Sequence, residues 1–129
     1  MVVPQTRLAN GLQQLERVMS VGVIPEIIAD PGDAGAIDVS TSGYCELTTG
    51  GAETRTLADP VFRGQILDLV FVSDSGDCVI TAASPMNQTG NTIMTFSDVG
   101  ESIRLMGHYN ATDGWEWVAI SLANGVALS

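Results

Sequence analysis

Residues Gly64–Ser121 read GQILDLVFVSDSGDCVITAASPMNQTGNTIMTFSDVGESIRLMGHYNATDGWEWVAIS, and this stretch decides the fold class. Short runs of Val, Ile, Leu, Thr and aromatic residues alternate with clusters of Gly, Ser, Asp, Asn and Pro, a spacing typical of antiparallel sheet proteins. No run is long enough to form a crossover helix. The stretch therefore predicts five strands, at Gln65–Ser73, Cys78–Ala83, Thr92–Phe96, Ser102–Tyr109 and Trp115–Ser121.

The first of these strands, Gln65–Ser73, is apolar on both faces. Its side chains alternate, with Leu67, Leu69 and Phe71 on one face and Ile66, Val70 and Val72 on the other. We therefore expect it to be a central strand that is covered on both sides. The loop that follows it contains Gly76, which can adopt positive φ, so Cys78–Ala83 is predicted to return antiparallel to the first strand.

Three further strands are predicted upstream, at Ala36–Ser40, Tyr44–Thr49 and Thr54–Leu57, where apolar and polar residues alternate. Residues Val21–Gly35 are predicted to be a connector. Within it, Asp30–Asp33 favours a turn over a calcium site, because the spaced oxygen ligands of a calcium loop are lacking. About eight strands in total predict an all-β fold, as an antiparallel β-sandwich, a jelly roll or a small barrel.

The amino-terminal part of the chain predicts one helix, at Asn10–Ser20, preceded by an extended arm at Met1–Arg7. The helix carries an apolar stripe, formed by Leu12, Leu15 and Met19. Because so short a helix is marginal alone, the stripe packs either on the chain's own sheet or on a neighbouring subunit, and both alternatives stay open. The predicted organisation is an N-terminal arm, helix and connector over residues 1–35 and a β-domain over residues 36–129.

The charge of the chain restricts its partners. Its 129 residues include 15 acids and five bases, which give a formal net charge of −10, and every base is an arginine. Such an acidic surface repels phosphate backbones and anionic lipid, so we expect neither nucleic-acid nor membrane binding. The first residues do not have the pattern of a secretion signal, and no apolar stretch approaches the ~18 residues of a membrane span, so a soluble protein is expected.

The two cysteines, Cys45 and Cys78, have no metal-ligand spacing and are too few for a disulfide framework. They are interpreted as small buried apolar side chains, with a disulfide between them as the alternative. No metal site or cofactor is predicted.

Catalysis has little support in the sequence. The single histidine, His108, lies on a predicted strand, and no serine stands in a nucleophile-elbow pattern. Carboxylates lie mostly in turns or at alternating outward positions, and the glycines form no phosphate-binding loop. We therefore predict a non-enzymatic protein, in which His108→Ala abolishes no activity.

Aromatic residues form the most informative cluster. Trp115 and Trp117 are two residues apart on one strand and hence share a face, while Glu116 points the other way. Burial of an indole removes roughly 150–250 Å² from water, which favours a place in the core or at a subunit contact. The alternative is an exposed platform for sugar rings, with Tyr109 and either Asn110 or Asp113 supplying hydrogen bonds. The cluster predicted for the core or the oligomer contact comprises Phe71, Tyr109, Trp115 and Trp117.

The order of these motifs resembles a pattern found in virion proteins of tailed bacteriophages. The residues that carry the resemblance are Gly64-Gln65, Ser73-Asp74-Ser75-Gly76, Val79-Ile80-Thr81, Asn91 to Phe96, Val99 to Leu105, Thr112-Asp113-Gly114-Trp115 and Val118. They span about half the chain, and the amino-terminal arm and helix lie outside the pattern. In this family such modules occur in head decoration (cement) proteins and in fibres, commonly as trimers. The compact length resembles a decoration protein more than a fibre.

The resemblance implies a non-enzymatic protein made in the host cytoplasm and placed on the outer surface of a capsid, where it binds and cements the major capsid protein. The absence of lysine, which commonly protects strand edges, independently favours self-association. The resemblance implies that the assembly is a homotrimer. The residues predicted to grip the shell are Arg7, Leu12, Leu15, Arg17 and Met19. Two alternatives stay open, namely a fibre or adhesion module that binds host glycans through an aromatic patch, and a small hydrolase.

Overall fold

The computed structural model describes residues 26–86, 90–121 and 124–129, and these residues form two β-sheets and no helix. The predicted arm at Met1–Arg7 and the predicted helix at Asn10–Ser20 lie outside the described residues. The strands are β1 Glu26–Ile28, β2 Gly35–Ile37, β3 Gly43–Thr48, β4 Glu53–Leu57, β5 Ile66–Ser73, β6 Cys78–Met86, β7 Asn91–Phe96, β8 Ser102–Asn110, β9 Gly114–Ala119 and β10 Ala127–Leu128. The prediction of an all-β fold is confirmed.

The two sheets have the same plan. Sheet A has the order β1-β3-β5-β8-β9, and sheet B has the order β10-β7-β6-β4-β2. In each sheet the first three strands along the chain pair in parallel, and the remaining strands pair antiparallel. The prediction of purely antiparallel pairing is therefore wrong, and the sheets do not close into a barrel.

The parallel half arises because the chain winds as a coil. Strands β1 to β6 alternate between sheet A and sheet B, so each strand lies beside the one that preceded it by a full turn. A parallel pair needs a long crossover, and here the crossover is a strand of the opposite sheet. The predicted connector at Val21–Gly35 contains β1 and the first residue of β2, the start of this coil.

Gly76 explains why β6 does not pair with β5 as predicted. A Cβ atom at this position would lie 2.4 Å from the Gly51 carbonyl carbon and 2.5 Å from the Ala52 nitrogen. Only glycine allows the β5–β6 loop to stack this closely on the β3–β4 loop. The loop is thus a corner of the coil, from which β6 runs parallel to β4 in the other sheet. The sequence alone favours a hairpin here, because the local pattern of Gly and Asp is typical of hairpin turns.

Inward side chains of both sheets form one core. In sheet A the residues Ile28, Cys45, Leu69 and Ile103 occupy successive strands in register, and all four are buried. Each fully buried side chain of this size contributes roughly 1.5–3 kcal/mol. The predicted burial of both cysteines is confirmed. Cys45 and Cys78 are free thiols, and burial raises the pKa of each to about 11, so both stay protonated near neutral pH.

Strand β5 is central, as predicted, but among the described residues only one of its faces is fully covered. Leu67, Leu69 and Phe71 are at most 1% exposed. On the other face Ile66 and Val70 are half-buried and Val72 is 37% exposed. The expectation that both faces are covered is therefore not met within the described residues, where the outward side chains of β5 stay partly exposed.

A buried ion pair joins the first turn of the coil to the second. Arg55 on β4 is 1% exposed and donates to Asp30, with Nε–Oδ1 at 2.8 Å and Nη2–Oδ2 at 3.1 Å. Burial opposes ionisation of Asp30, but hydrogen bonds from Arg55 and from the amides of Thr48 and Gly32 outweigh it, so the pKa of Asp30 is lowered. Asp30 also accepts the Gly32 amide within the predicted turn. The turn interpretation of Asp30–Asp33 is thus confirmed, and Asp30 has a structural partner that its sequence context did not reveal.

Candidate functional site

The outward surface of sheet A, called the A face below, carries much of the exposed apolar surface. Cross-strand register places Ile27, Tyr44, Asp68, Arg104 and Ile120 in one row across the sheet. A second row consists of Ile66, Met106 and Val118. The other outward residues of the A face are Glu46, Val70, Val72, Ser102, His108 and Glu116. Ile27 is 79% exposed and Ile120 is 44% exposed. The A face thus combines exposed apolar side chains with several charged ones, and much of it is open to solvent within the described residues.

Two acidic groups on the A face differ in their partners. Asp68 accepts two hydrogen bonds from Arg104, at 2.7 Å from Nε and 2.9 Å from Nη2, and this contact raises the pKa of Arg104. Glu46 is exposed and accepts a bond from the Tyr44 hydroxyl at 3.1 Å. No arginine of the described residues forms an ion pair with Glu46. A shallow groove of about 180 Å³ runs between Tyr44, Asp68 and Arg104.

The outward surface of sheet B, called the B face below, has a different chemistry. Its positions in register are Ala36, Thr54, Thr56, Val79, Thr81, Ile93, Thr95 and Ala127. None of these residues is charged, half of them are threonines, and none is a large apolar residue with high exposure. Their hydroxyl and methyl groups are compatible with direct contact with water.

A third surface, the arginine patch, consists of Val61, Phe62, Arg63, Tyr109 and Trp115. The Arg63 Cζ atom lies 5.0 Å from the Tyr109 ring centroid and 5.9 Å from the Trp115 ring centroid. The two rings meet edge to face, with centroids 5.1 Å apart. Val61 is 53% exposed and Phe62 is 42% exposed. A cation held over two aromatic rings among exposed apolar side chains is a composition typical of binding surfaces.

Gly107 and Gln65 hold the arginine patch in place. A Cβ atom at Gly107 would lie 2.5 Å from the Phe62 carbonyl oxygen, so the absence of a side chain lets the segment before β5 cross strand β8. Gln65 is fully buried, donates to the Val39 and Thr41 carbonyls and accepts the Val61 amide at 2.8 Å. These contacts fix the backbone on both sides of Arg63.

The predicted aromatic cluster divides into two groups. Trp115 and Trp117 share a face, as predicted, but Trp117 is 1% exposed and donates its indole N–H to the Ala58 carbonyl at 2.8 Å. Phe71 packs edge to face with Phe96 in the core, with centroids 6.2 Å apart. Only Tyr109 and Trp115 reach the surface. The two indoles therefore do not form a joint platform for sugar rings.

His108 lies close to the Glu116 carboxylate. Its Nε2 atom lies 3.7 Å from Glu116 Oε1, and Glu116, which is 2% exposed, also accepts a weak bond from Asn110 at 3.3 Å. A cavity of about 100 Å³ beside Glu116 is lined by Ser84, Pro85, Gly90 and Asp113. Within the described ranges, no three potential ligands are arranged to hold a metal ion.

The structure describes only some of the site residues that were predicted from the sequence. The predicted shell-binding residues, Arg7, Leu12, Leu15, Arg17 and Met19, lie outside the described residues. Sequence reasoning missed Glu46, Arg63 and Gln65. One signal for Arg63 was available, since arginines are scarce in so acidic a chain and Arg63 directly precedes the Gly64-Gln65 motif.

Comparisons with known proteins do not assign the chain to a group. No model of a known protein family matches the sequence, and no curated protein matches it either. In the part of the chain that the structure describes, no helix is suited to span a membrane.

Proposed function

We propose that this chain is a non-enzymatic virion structural protein that decorates and cements the capsid of a tailed bacteriophage as a closed homotrimer. The order of motifs between Gly64 and Val118, which resembles that of phage virion proteins, supports the virion part of the proposal. The observation that carries the assembly part is the open A face. An apolar surface of this kind marks a place where another protein packs.

The geometry of sheet A favours a neighbouring copy as that protein. Strand β1 is an edge strand of three residues, and its outward residue Ile27 is 79% exposed. Strands and edges left open are normally covered, charged or interrupted to prevent uncontrolled pairing. A closed ring of identical subunits covers such surfaces in every subunit at once.

The amino-terminal residues are the proposed clamp on the shell. Because Glu26 begins β1 at the edge of sheet A, residues 1–25 join the β-fold at that edge. Leu12, Leu15 and Met19 would contact the major capsid protein, and Arg7 and Arg17 would meet acidic groups on it. Three copies in one trimer strengthen a weak contact through effective concentration.

The alternative of a glycan-binding fibre module has less geometric support. Tyr109 and Trp115 remain partly exposed, but Arg63 lies over both rings and Trp117 is in the core. Stacking of a sugar requires a free ring face. The geometry therefore favours assembly over adhesion.

The test combines light scattering with shell binding. We expect a mass of three times 13.5 kDa at low micromolar concentration, and co-sedimentation of the full chain with undecorated shells. Deletion of residues 1–20 should leave a folded trimer that no longer sediments with shells. Retained binding by this deletion variant would refute the clamp, whereas unfolding would assign the stripe to the protein's own core.

A further inference from the structure

The described residues contain one arginine without an acidic partner. Arg55 pairs with Asp30, and Arg104 pairs with Asp68. Arg63 is exposed and forms neither an ion pair nor a hydrogen bond to the rest of the described chain. In a chain with a net charge of −10, a guanidinium held against two aromatic rings is a preformed donor group, and the described residues supply no acceptor for it.

Glu46 on the A face is the complementary group. It is exposed, and within the described residues its carboxylate accepts a hydrogen bond only from the Tyr44 hydroxyl. The apolar side chain of Val70 lies opposite it on the adjacent strand. Among the described residues, Arg63 has no acidic partner and Glu46 has no basic one. Each stands among aromatic and apolar neighbours that are open to solvent.

One chain cannot bring the two groups together. Glu46 is in register with Val70 and, through it, with Ser102 of β8, whereas Arg63 lies over Tyr109, seven residues further along β8. At about 3.3 Å per residue the two positions are roughly 20 Å apart along the strands. They also belong to opposite faces of sheet A, because Tyr109 shares its face with the buried Ile103 and Leu105, while Glu46 points outward.

We propose that the arginine patch of one copy docks on the A face of the next copy, with Arg63 donating to Glu46 across the contact. The contact is heterologous, since it joins two different surfaces of the same chain, and repetition around a threefold axis closes a ring. This inference rests on the homotrimer of the proposed function and names its interface. Arg, Tyr and Trp are the residues that most often dominate the energy of such contacts.

Several properties of the two surfaces fit one another. Val61 and Phe62 flank Arg63, and Tyr44 and Val70 flank Glu46, so apolar surface meets apolar surface around a central ion pair. Arginine and a carboxylate form two parallel hydrogen bonds in a fixed orientation. That orientation would set the angle between neighbouring subunits.

Charge reversal tests the contact. Arg63→Glu and Glu46→Arg are each expected to weaken self-association by about tenfold or more, because each places two like charges together at the contact. The double variant Arg63→Glu with Glu46→Arg should regain the wild-type mass, because the pair is restored with its charges exchanged. The matched control is Asp98→Arg, a charge reversal in the exposed β7–β8 loop, which should leave the mass unchanged.

The readouts are mass by light scattering across a dilution series and near-ultraviolet circular dichroism, which verifies that each variant is folded. A wild-type trimer whose mass neither single reversal alters would overturn this contact while leaving the proposed trimer intact. Failure of the double variant to regain the trimer would also overturn it. A monomeric wild type would refute both the contact and the trimer, and a mass that grows without limit on concentration would refute ring closure.

Discussion

The A face and the B face lie on sheets with the same plan, yet their outward side chains differ. Both sheets consist of three parallel strands followed by two antiparallel strands. The A face exposes Ile27, Val72 and Ile120, whereas the B face presents threonines and small residues. Backbone pairing alone therefore does not determine the chemistry of an outward face. The residue types at the outward positions determine it.

The largest expected effect concerns the interior that both faces share. Asp30→Ala leaves the Arg55 guanidinium buried without its main partner, and loss of one member of a buried pair costs about 3–5 kcal/mol. Arg55 is in β4 of sheet B and Asp30 follows β1 of sheet A. Because the pair joins the two sheets, we expect both sheets to unfold in a single transition. Urea denaturation measures the free energy of unfolding of each variant. Asp33→Ala, which removes a single exposed hydrogen bond to the Thr54 amide, should cost only about 1 kcal/mol.

The second prediction separates the two faces directly. Met106 and Ile93 are both half-buried outward residues on antiparallel strands, one on the A face and one on the B face. Met106→Glu should dissociate the oligomer, because a carboxylate would be buried at the contact. Ile93→Glu should leave the mass of the oligomer unchanged. Equal effects of the two substitutions on mass would remove the distinction between the faces.

Acid titration should produce a smaller and gradual effect. Since the pKa of Asp30 is lowered in the folded protein, its contribution to stability is complete above the unfolded pKa of about 3.9 and decreases as the pH falls towards the folded pKa. The stability advantage of the wild type over Asp30→Asn should therefore be constant above about pH 5 and shrink below about pH 4. An advantage that does not change with pH over this range would contradict the ionised pair.

Strand positions could be predicted from the sequence because alternation is a local property. The predicted boundaries of Thr92–Phe96 and Ser102–Tyr109 agree with β7 and β8 to within one residue. Pairing is not local. Whether the loop at Gly76 forms a hairpin or a corner depends on its contact with Gly51, 25 residues away along the chain. A strand of three residues, such as β1, is also too short to show a period.

The same limit applies to the candidate site. Alternation correctly placed Trp115 and Trp117 on one face, but it could not show that the segment at Ala58 covers only Trp117. The burial of Gln65 and Arg55 likewise depends on acceptors that are distant in the sequence. Polar residues inside a core are recognised only when their partners are known, because an unpaired one would be too costly to bury.

The central claim is that a neighbouring copy covers the A face and leaves the B face open. Thiol labelling tests it most directly, since burial and a pKa of about 11 keep Cys45 and Cys78 unreactive. Val118→Cys reports on the A face and Thr81→Cys on the B face. In the assembled protein at micromolar concentration we expect Val118→Cys to react at least about tenfold more slowly than after dilution to the monomer, while Thr81→Cys reacts at one rate in both states. Equal labelling rates for Val118→Cys in the two states would contradict the account.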